Sequence, residues 1–334
     1  MLVRSATIVA IATFAGVFCV QRAAASSADP FVRLTHEVRS IAANLPALSG
    51  VDIVDLSTGY RAGFNAAASM PAASTIKIPV MVEVFAQLAA GRFDLDRRVT
   101  LLASDKDWGS GDLCDAPVGS TYTVSQLLVK MIDISDNTAT NMLIRLVGRR
   151  NINREMGDLG LRHTHLADDV RTDEWSIRQQ LRTSPADLAR LLALMARREL
   201  VDEWSSNEMV SILARDEINT LLPEPLPENV VVAHKTGSLD DTMNDAGIVY
   251  AEDAPYVIAV MTTALPSQDL GRSFIRAVSR IAYTSELQFA QWRAATGLEA
   301  PFALGGAASP GPRSPDVRYW SAAPASDDVT TGGL

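Results

Sequence analysis

Ser74 and Lys77 stand three residues apart at the head of an apolar run that continues to Ala90. On a helix this spacing puts both side chains on one face, one turn apart. A neutral serine is a poor nucleophile, and a neighbouring amine that accepts its proton lets it attack a carbonyl. The free N–H groups and positive dipole end of a helix start favour a developing oxyanion. Taken alone, Ser-x-x-Lys is also an ordinary cap followed by an ordinary helix residue. The remaining chemistry-bearing residues have to decide.

Two further short runs qualify. Ser135-Asp136-Asn137 offers a second hydroxyl and an amide, and Lys235-Thr236-Gly237-Ser238 offers a second amine beside two hydroxyls. Lysine is scarce, at four residues against 26 arginines, so each lysine draws attention. A zinc site is not expected, because four histidines and one cysteine outside the N-terminal leader supply too few ligands. Cys114 reads as a small buried residue rather than a nucleophile, with no histidine near it in sequence. His234, beside Lys235, reads as a strand residue.

The elements that must position these groups are legible. Phe31 to Asn44 has helical spacing, Gly50–Leu56 and Tyr60–Asn65 read as a hairpin, and a small-residue loop leads into the Ser74 helix, which Gly91 ends. The stretch 104–113 is polar and glycine-rich around Trp108, either the rim of a cleft or an ordinary surface loop. Helices are expected over 123–134, 138–147 and 151–159, so Ser135-Asp136-Asn137 falls between two of them. Residues 161–183 show no period and read as a long loop. Ser184-Pro185-Ala186-Asp187 opens a helix with a capping serine, an early proline and an acid at the third position. A further helix spans 202–214, and the proline-rich 223–227 reads as a linker. Strands at 230–233, 245–250 and 256–262 follow, and a long helix over 270–296 closes the fold. The expected fold class is α/β (α+β): an antiparallel sheet built from both termini, flanked by helices, with an all-helical lobe inserted. The sheet lobe takes 30–66 and 220–297, and the helical lobe 67–219.

At 334 residues and 47% hydrophobic, the chain is long enough for a large core. A net charge of −9 with no basic run argues against nucleic acid or an anionic membrane as partner. Residues 1–25 read as a secretory signal: Arg4, an uncharged run from Ala6 to Val20 too short to span a membrane, then Ala23-Ala24-Ala25. A periplasmic or secreted protein without a stable span is expected. The proline- and glycine-rich 301–334 reads as a disordered tail.

Ser74-x-x-Lys77, Ser135-Asp136-Asn137 and Lys235-Thr236-Gly237 occur in the order found in active-site-serine β-lactamases and penicillin-binding proteins. Over residues 30–297 the chain resembles class A β-lactamases most closely, a likeness extended by Leu159-Gly160-Leu161-Arg162 and Thr183-Ser184-Pro185-Ala186. The resemblance implies a serine hydrolase with no cofactor, working as a monomer on a β-lactam or a peptidoglycan-type peptide. Ser74 would be acylated, and Lys77 would help remove its proton. Ser135 would pass a proton to the leaving nitrogen, and Asn137 would hold the side-chain amide of the substrate. Lys235 and Thr236 would hold Ser135 and the substrate carboxylate, and the two lysines should depress each other's pKa. Backbone N–H groups of Ser74 and Ser238 would form the oxyanion hole, with Gly237 letting the strand approach closely.

One departure bears on the outcome. Class A enzymes carry Glu-x-x-Leu-Asn, whose glutamate activates the deacylating water, and that run is absent here. By distance, Val170 falls where the glutamate belongs. Glu174 is the candidate substitute, with Asp173 and Asp169 behind it if the loop folds differently. Against that stands the reading that all three are solvated loop charges. Three functions therefore compete: β-lactam hydrolysis with doubtful deacylation, a D-alanyl-D-alanine carboxypeptidase or esterase on the same fold, and a sensor or binding module acylated without turnover.

Overall fold

The structure is a computed structural model that describes residues 30–171 and 180–297. The leader at 1–25, the loop acids Asp173 and Glu174, and the tail from 301 lie outside the described residues. In chain order the first elements are α1 (Pro30–Ala43), β1 (Leu48–Asp55), β2 (Arg61–Phe64), β3 (Met70–Pro71) and α2 (Lys77–Ala89). There follow β4 (Arg98–Thr100), β5 (Thr121–Thr123), α3 (Val124–Asp133), α4 (Asn137–Val147), α5 (Arg149–Asp158), β6 (His165–Leu166) and β7 (Leu181–Thr183). The last are α6 (Pro185–Ala196), α7 (Glu203–Leu213), β8 (Val231–Leu239), β9 (Thr242–Tyr250), β10 (Tyr256–Thr263) and α8 (Gln268–Thr296).

Strands from both ends of the described chain make one antiparallel sheet in the order β2-β1-β10-β9-β8. This is the expected α/β sheet with helices on its faces and helices inserted between its strands. Along β10 the side chains alternate between two cores. Tyr256, Ile258 and Val260 join α1 and α8, whereas Val257, Ala259 and Met261 join the helices on the other face. A strand covered on both faces needs apolar residues at both phases, which is why this segment reads as an unbroken apolar run.

The helical side is built around α2. Every residue from Ile76 to Phe85 is buried, so the helix is covered all round, as its run of apolar residues requires. It packs against α4, α5 and α7. The caps act where the sequence put them: Thr123 with Gln126 forms a capping box, and Asp136, Ser184 and Asp202 accept from the N–H groups of Ala139, Asp187 and Ser205. Gly148, at φ +86°, makes the turn between α4 and α5.

Two segments differ from expectation. The long loop contains β6 and β7, which form a small sheet with β3 in the order β3-β7-β6. Strands of two or three residues are too short to carry a period. The proline-rich linker is not free: Leu221, Leu222 and Leu226 are buried in the α1–α8 core, and Leu222 is bonded by Asp245 and Ser279.

Where β1 ends opposite the start of β10, Asp55, Tyr256 and the α8 residue Glu286 are fully buried together. Burial raises the Glu286 carboxyl well above the usual range, and the adjacent Asp55 raises it further by charge and hydrogen bonding, against Arg293, which lowers it. A carboxyl raised in the folded state favours folding while protonated, so its support is complete at low pH. That support declines as pH climbs from the unfolded carboxylate range toward the folded value. Urea unfolding midpoints across pH 4–9 should therefore fall less steeply for Glu286→Gln than for the wild type, with the two similar near pH 4. Parallel pH slopes would show that Glu286 does not hold a proton in the fold.

Candidate active site

The Ser74 segment is anchored by β7 and β9. Ser74 lies in a 3₁₀ turn, Ala73–Ile76, that runs into α2 at Lys77, so serine and lysine sit on a continuous but tighter coil than the expected helix start. The N–H of Ala72 donates to Leu181 O at 3.0 Å, and Asn244 of β9 donates its amide to Pro71 O and Ala72 O at 2.9 and 3.1 Å. Ala73 has φ +46° and Ser135 has φ +57°. Non-glycine residues held in this left-handed region cost about 1–3 kcal/mol each, and such strain clusters at functional sites.

Lys77 is fully buried. Its Nζ donates to Ser135 O at 2.5 Å, Ser135 Oγ at 3.0 Å and Asn137 Oδ1 at 2.8 Å. Burial drives its pKa well below that of a free lysine, and the nearby Lys235 pushes the same way; Asp136, Asp107 and Asp216 oppose them. The depression expected from two lysines in one cleft is therefore present at Lys77, with burial as the larger cause. No hydrogen bond joins Nζ to Ser74 Oγ in this resting arrangement. The three contacts of Nζ go to Ser135 and Asn137 instead, and catalytic hydrogen bonds often tighten only with substrate in place.

Lys235 is equally buried, and its Nζ lies 3.2 Å from Asp216 Oδ2 and 3.5 Å from Thr236 Oγ1. The expected hold of Lys235 on Ser135 is not made. A buried ammonium takes the carboxylate within reach, and here that is Asp216. His234, expected to be only a strand residue, is also more than that. Its Nδ1 lies 2.9 Å from Asp245 Oδ1 and its Nε2 3.3 Å from Asn219 Oδ1. Burial pulls its pKa down, but the charge and hydrogen bond of Asp245, with Asp216 behind, outweigh this and leave it raised.

β8 is an edge strand of the sheet and passes against the nucleophile turn. A Cβ placed on Gly237 would lie 2.9 Å from Ser74 N and 3.0 Å from Thr75 N, so only glycine allows this approach. Ser74, Ser135, Asn137, Thr236, Gly237 and Ser238 thus line one cleft. Gly109 and Ser110 form part of its wall, and Trp108 beside them is 68% exposed, which places the 104–113 loop at the rim.

Val170 lines the same cleft. Its backbone is held from both sides by Asn141, which accepts from Val170 N at 2.9 Å and donates to Val170 O at 3.0 Å. The carboxylate of Asp169 is engaged by Arg171 at 3.0 Å. Asp173 and Glu174 fall outside the described residues. Among the described residues no group of His, Cys, Asp and Glu could hold a metal. No helix is long and apolar enough to cross a membrane there.

Sequence reasoning missed Asp107, Asn141, Asp216 and Asn244. Asn141 carried a signal, since it lies one turn beyond Asn137 on the same helix face. Asn244-Asp245 is a polar pair inside an apolar strand, which also asks for a partner. Asp107 and Asp216 looked like ordinary loop acids.

A sheet flanked by helices, with a nucleophile turn facing two buried lysines, is the architecture of a serine acyl-transfer enzyme. The chain belongs to the β-lactamase enzyme family, whose model matches residues 33–285, and so to the serine hydrolases typified by class A β-lactamases and penicillin-binding proteins. Among solved structures, PBP-A is 31% identical with a TM-score of 0.72, covering 77% of this chain and 96% of its own. A PBP-A variant solved as an acyl-enzyme with penicillin G is 30% identical, with a TM-score of 0.73, covering 77% of this chain and 97% of its own. β-Lactamase L2 of Stenotrophomonas maltophilia is 28% identical over 274 residues, 78% of this chain and 86% of that protein.

Giving Gly237 a side chain tests the geometry. Gly237→Ala must push β8 off the Ser74 turn, because the contacts it meets are backbone atoms. Reaction of Ser74 with an activated acyl donor should fall by about 10²-fold, the scale of losing one oxyanion donor. The melting temperature should change far less. An unchanged reaction rate would mean that the close approach of β8 has no chemical role.

Proposed function

We propose that this protein is a penicillin-reactive serine hydrolase that is acylated readily at Ser74 and deacylates slowly. In this reading Ser74 Oγ attacks the β-lactam or peptide carbonyl while Lys77 accepts its proton. The N–H groups of Ser74 and Ser238 hold the oxyanion, and Ser135 returns a proton to the departing nitrogen. Asn137 holds the acyl amide, and Thr236 with Lys235 receives the substrate carboxylate. The resting contact of Lys77 with Ser135 supports a proton path from one hydroxyl to the other through a single amine.

The observation that carries slow deacylation is Val170. An apolar side chain lines the cleft where the family's motif puts the water-activating glutamate, and Asn141 fixes it there. Without a base beside the ester, water attacks slowly. A D-alanyl-D-alanine carboxypeptidase or esterase is the second reading, favoured by the likeness to PBP-A. One PBP-A variant pairs a leucine-to-glutamate replacement with a penicillin G acyl-enzyme. The leader sequence at 1–25 supports a periplasmic or secreted location for either activity.

Intact-mass measurement after benzylpenicillin tests the reading. A single adduct, absent in Ser74→Ala, should form and persist while nitrocefin turnover stays low. Val170→Glu should speed adduct loss by at least about tenfold, at the lower edge of what a positioned general base supplies. Fast steady-state nitrocefin hydrolysis by the wild type would contradict slow deacylation, and loss of that hydrolysis in Glu174→Gln would then name the base. A permanent adduct without cleavage of D-alanyl-D-alanine peptides would leave an acylated sensor.

A further inference from the structure

Asn137 sits between two charged groups. Its Oδ1 accepts from Lys77 Nζ at 2.8 Å, and its Nδ2 donates to Asp107 Oδ1 at 2.8 Å. Asp107 is buried at the cleft wall. The same Oδ1 also accepts from Gly109 N at 2.9 Å, and the Asp107 backbone is tied to α4 through Thr138 Oγ1 at 3.1 and 3.2 Å. A carboxylate can only accept, so Asp107 takes the amide N–H of Asn137 and leaves the amide oxygen facing the Lys77 amine. In that orientation one N–H is spent on Asp107 and the second remains for an incoming acyl carbonyl.

We propose that Asp107 is a positioning residue: through Asn137 it holds Lys77 Nζ against Ser135 and keeps one amide N–H turned to the acylamino side chain of the substrate. The inference rests on the proposed acylation of Ser74. It also assigns Asp107 an electrostatic effect on the base. The groups that face Lys77 are Lys235 from β8, Asp136 and Ser135 ahead of α4, Asn137 at its start, Asp107 from the cleft wall and Asp216 from the segment after α7. Of these, Asp107 is one of the carboxylates that favour the charged amine. Removing its charge should let Lys77 lose its proton at lower pH.

The experiment measures second-order acylation rates of the full chain against pH. It compares benzylpenicillin, which carries an acylamino side chain, with 6-aminopenicillanic acid, which lacks it. Asp107→Ala should slow benzylpenicillin by about tenfold or more and 6-aminopenicillanic acid much less. Asp107→Asn, which keeps the shape, should move the acid limb of the profile to lower pH. Equal losses on both substrates with an unmoved acid limb would reduce Asp107 to a structural residue and overturn the inference. If Asp107→Ala fails to fold, Asp107→Asn alone decides through its acid limb. A wild type that benzylpenicillin does not acylate would instead defeat the proposed function, and the inference with it.

Discussion

Two lysine amines without access to water lie under one cleft, and the rest of the site follows from stabilising them. Lys77 and Lys235 are both fully buried. An uncompensated charge in that position costs several kcal/mol, so each must be surrounded by acceptors that the fold holds in place. Lys77 takes a backbone carbonyl, a hydroxyl and an amide oxygen from the segment opening α4, and Lys235 takes Asp216. The left-handed backbone at Ser135 is part of this arrangement, because Ser135 presents both its carbonyl and its hydroxyl to the same amine. The strain there is offset by the bonds it makes possible.

This polar layer lies between two apolar cores. Along β8 the alternation that sends Val232 into the α1–α8 core and Ala233 into the helical core continues into His234 and Lys235. One strand therefore delivers an ionisable side chain to each face, His234 to meet Asp245 and Lys235 to meet Asp216. Being an edge strand, β8 has one side unpaired within the sheet, and the nucleophile turn comes up against it. Gly237 sets how near the two can come, and that closeness brings Ser74 and Ser238 to one cleft.

Much of this was legible in the residues. Element order and the cap at Ser184 could be read because each depends on local chemistry and spacing, and the convergence of the three short motifs because of the family resemblance they carry together. Less legible were features that depend on partners distant in sequence. Asp216 looked like any loop acid until β8 was placed beside it. His234 gave no sign of its pairing with Asp245, because the two meet only through the register of β8 and β9. The proline-rich 223–227 has linker composition, yet three nearby leucines fill the core. β6 and β7 were invisible because a two- or three-residue strand has no periodicity to detect, although β7 supplies the carbonyl that anchors Ala72.

The two halves of a hydrolytic cycle rest on different kinds of support in this chain. The groups proposed for acylation come from a turn buried against a sheet edge, from the capped start of α4, and from β8, where burial and multiple hydrogen bonds fix each atom. Any one of them is tied to the stability of the core and resists change. In the proposed reading deacylation turns on Val170, a single side chain on the loop after β6, anchored to α4 through backbone bonds to Asn141 that any residue but proline could make. Those bonds hold the backbone beside the cleft, while the valine side chain is buried against the helical core. On the proposed reading a valine there withholds a base from water, and a hydrolase and a slow acyl-enzyme former on this fold would differ at one loop residue.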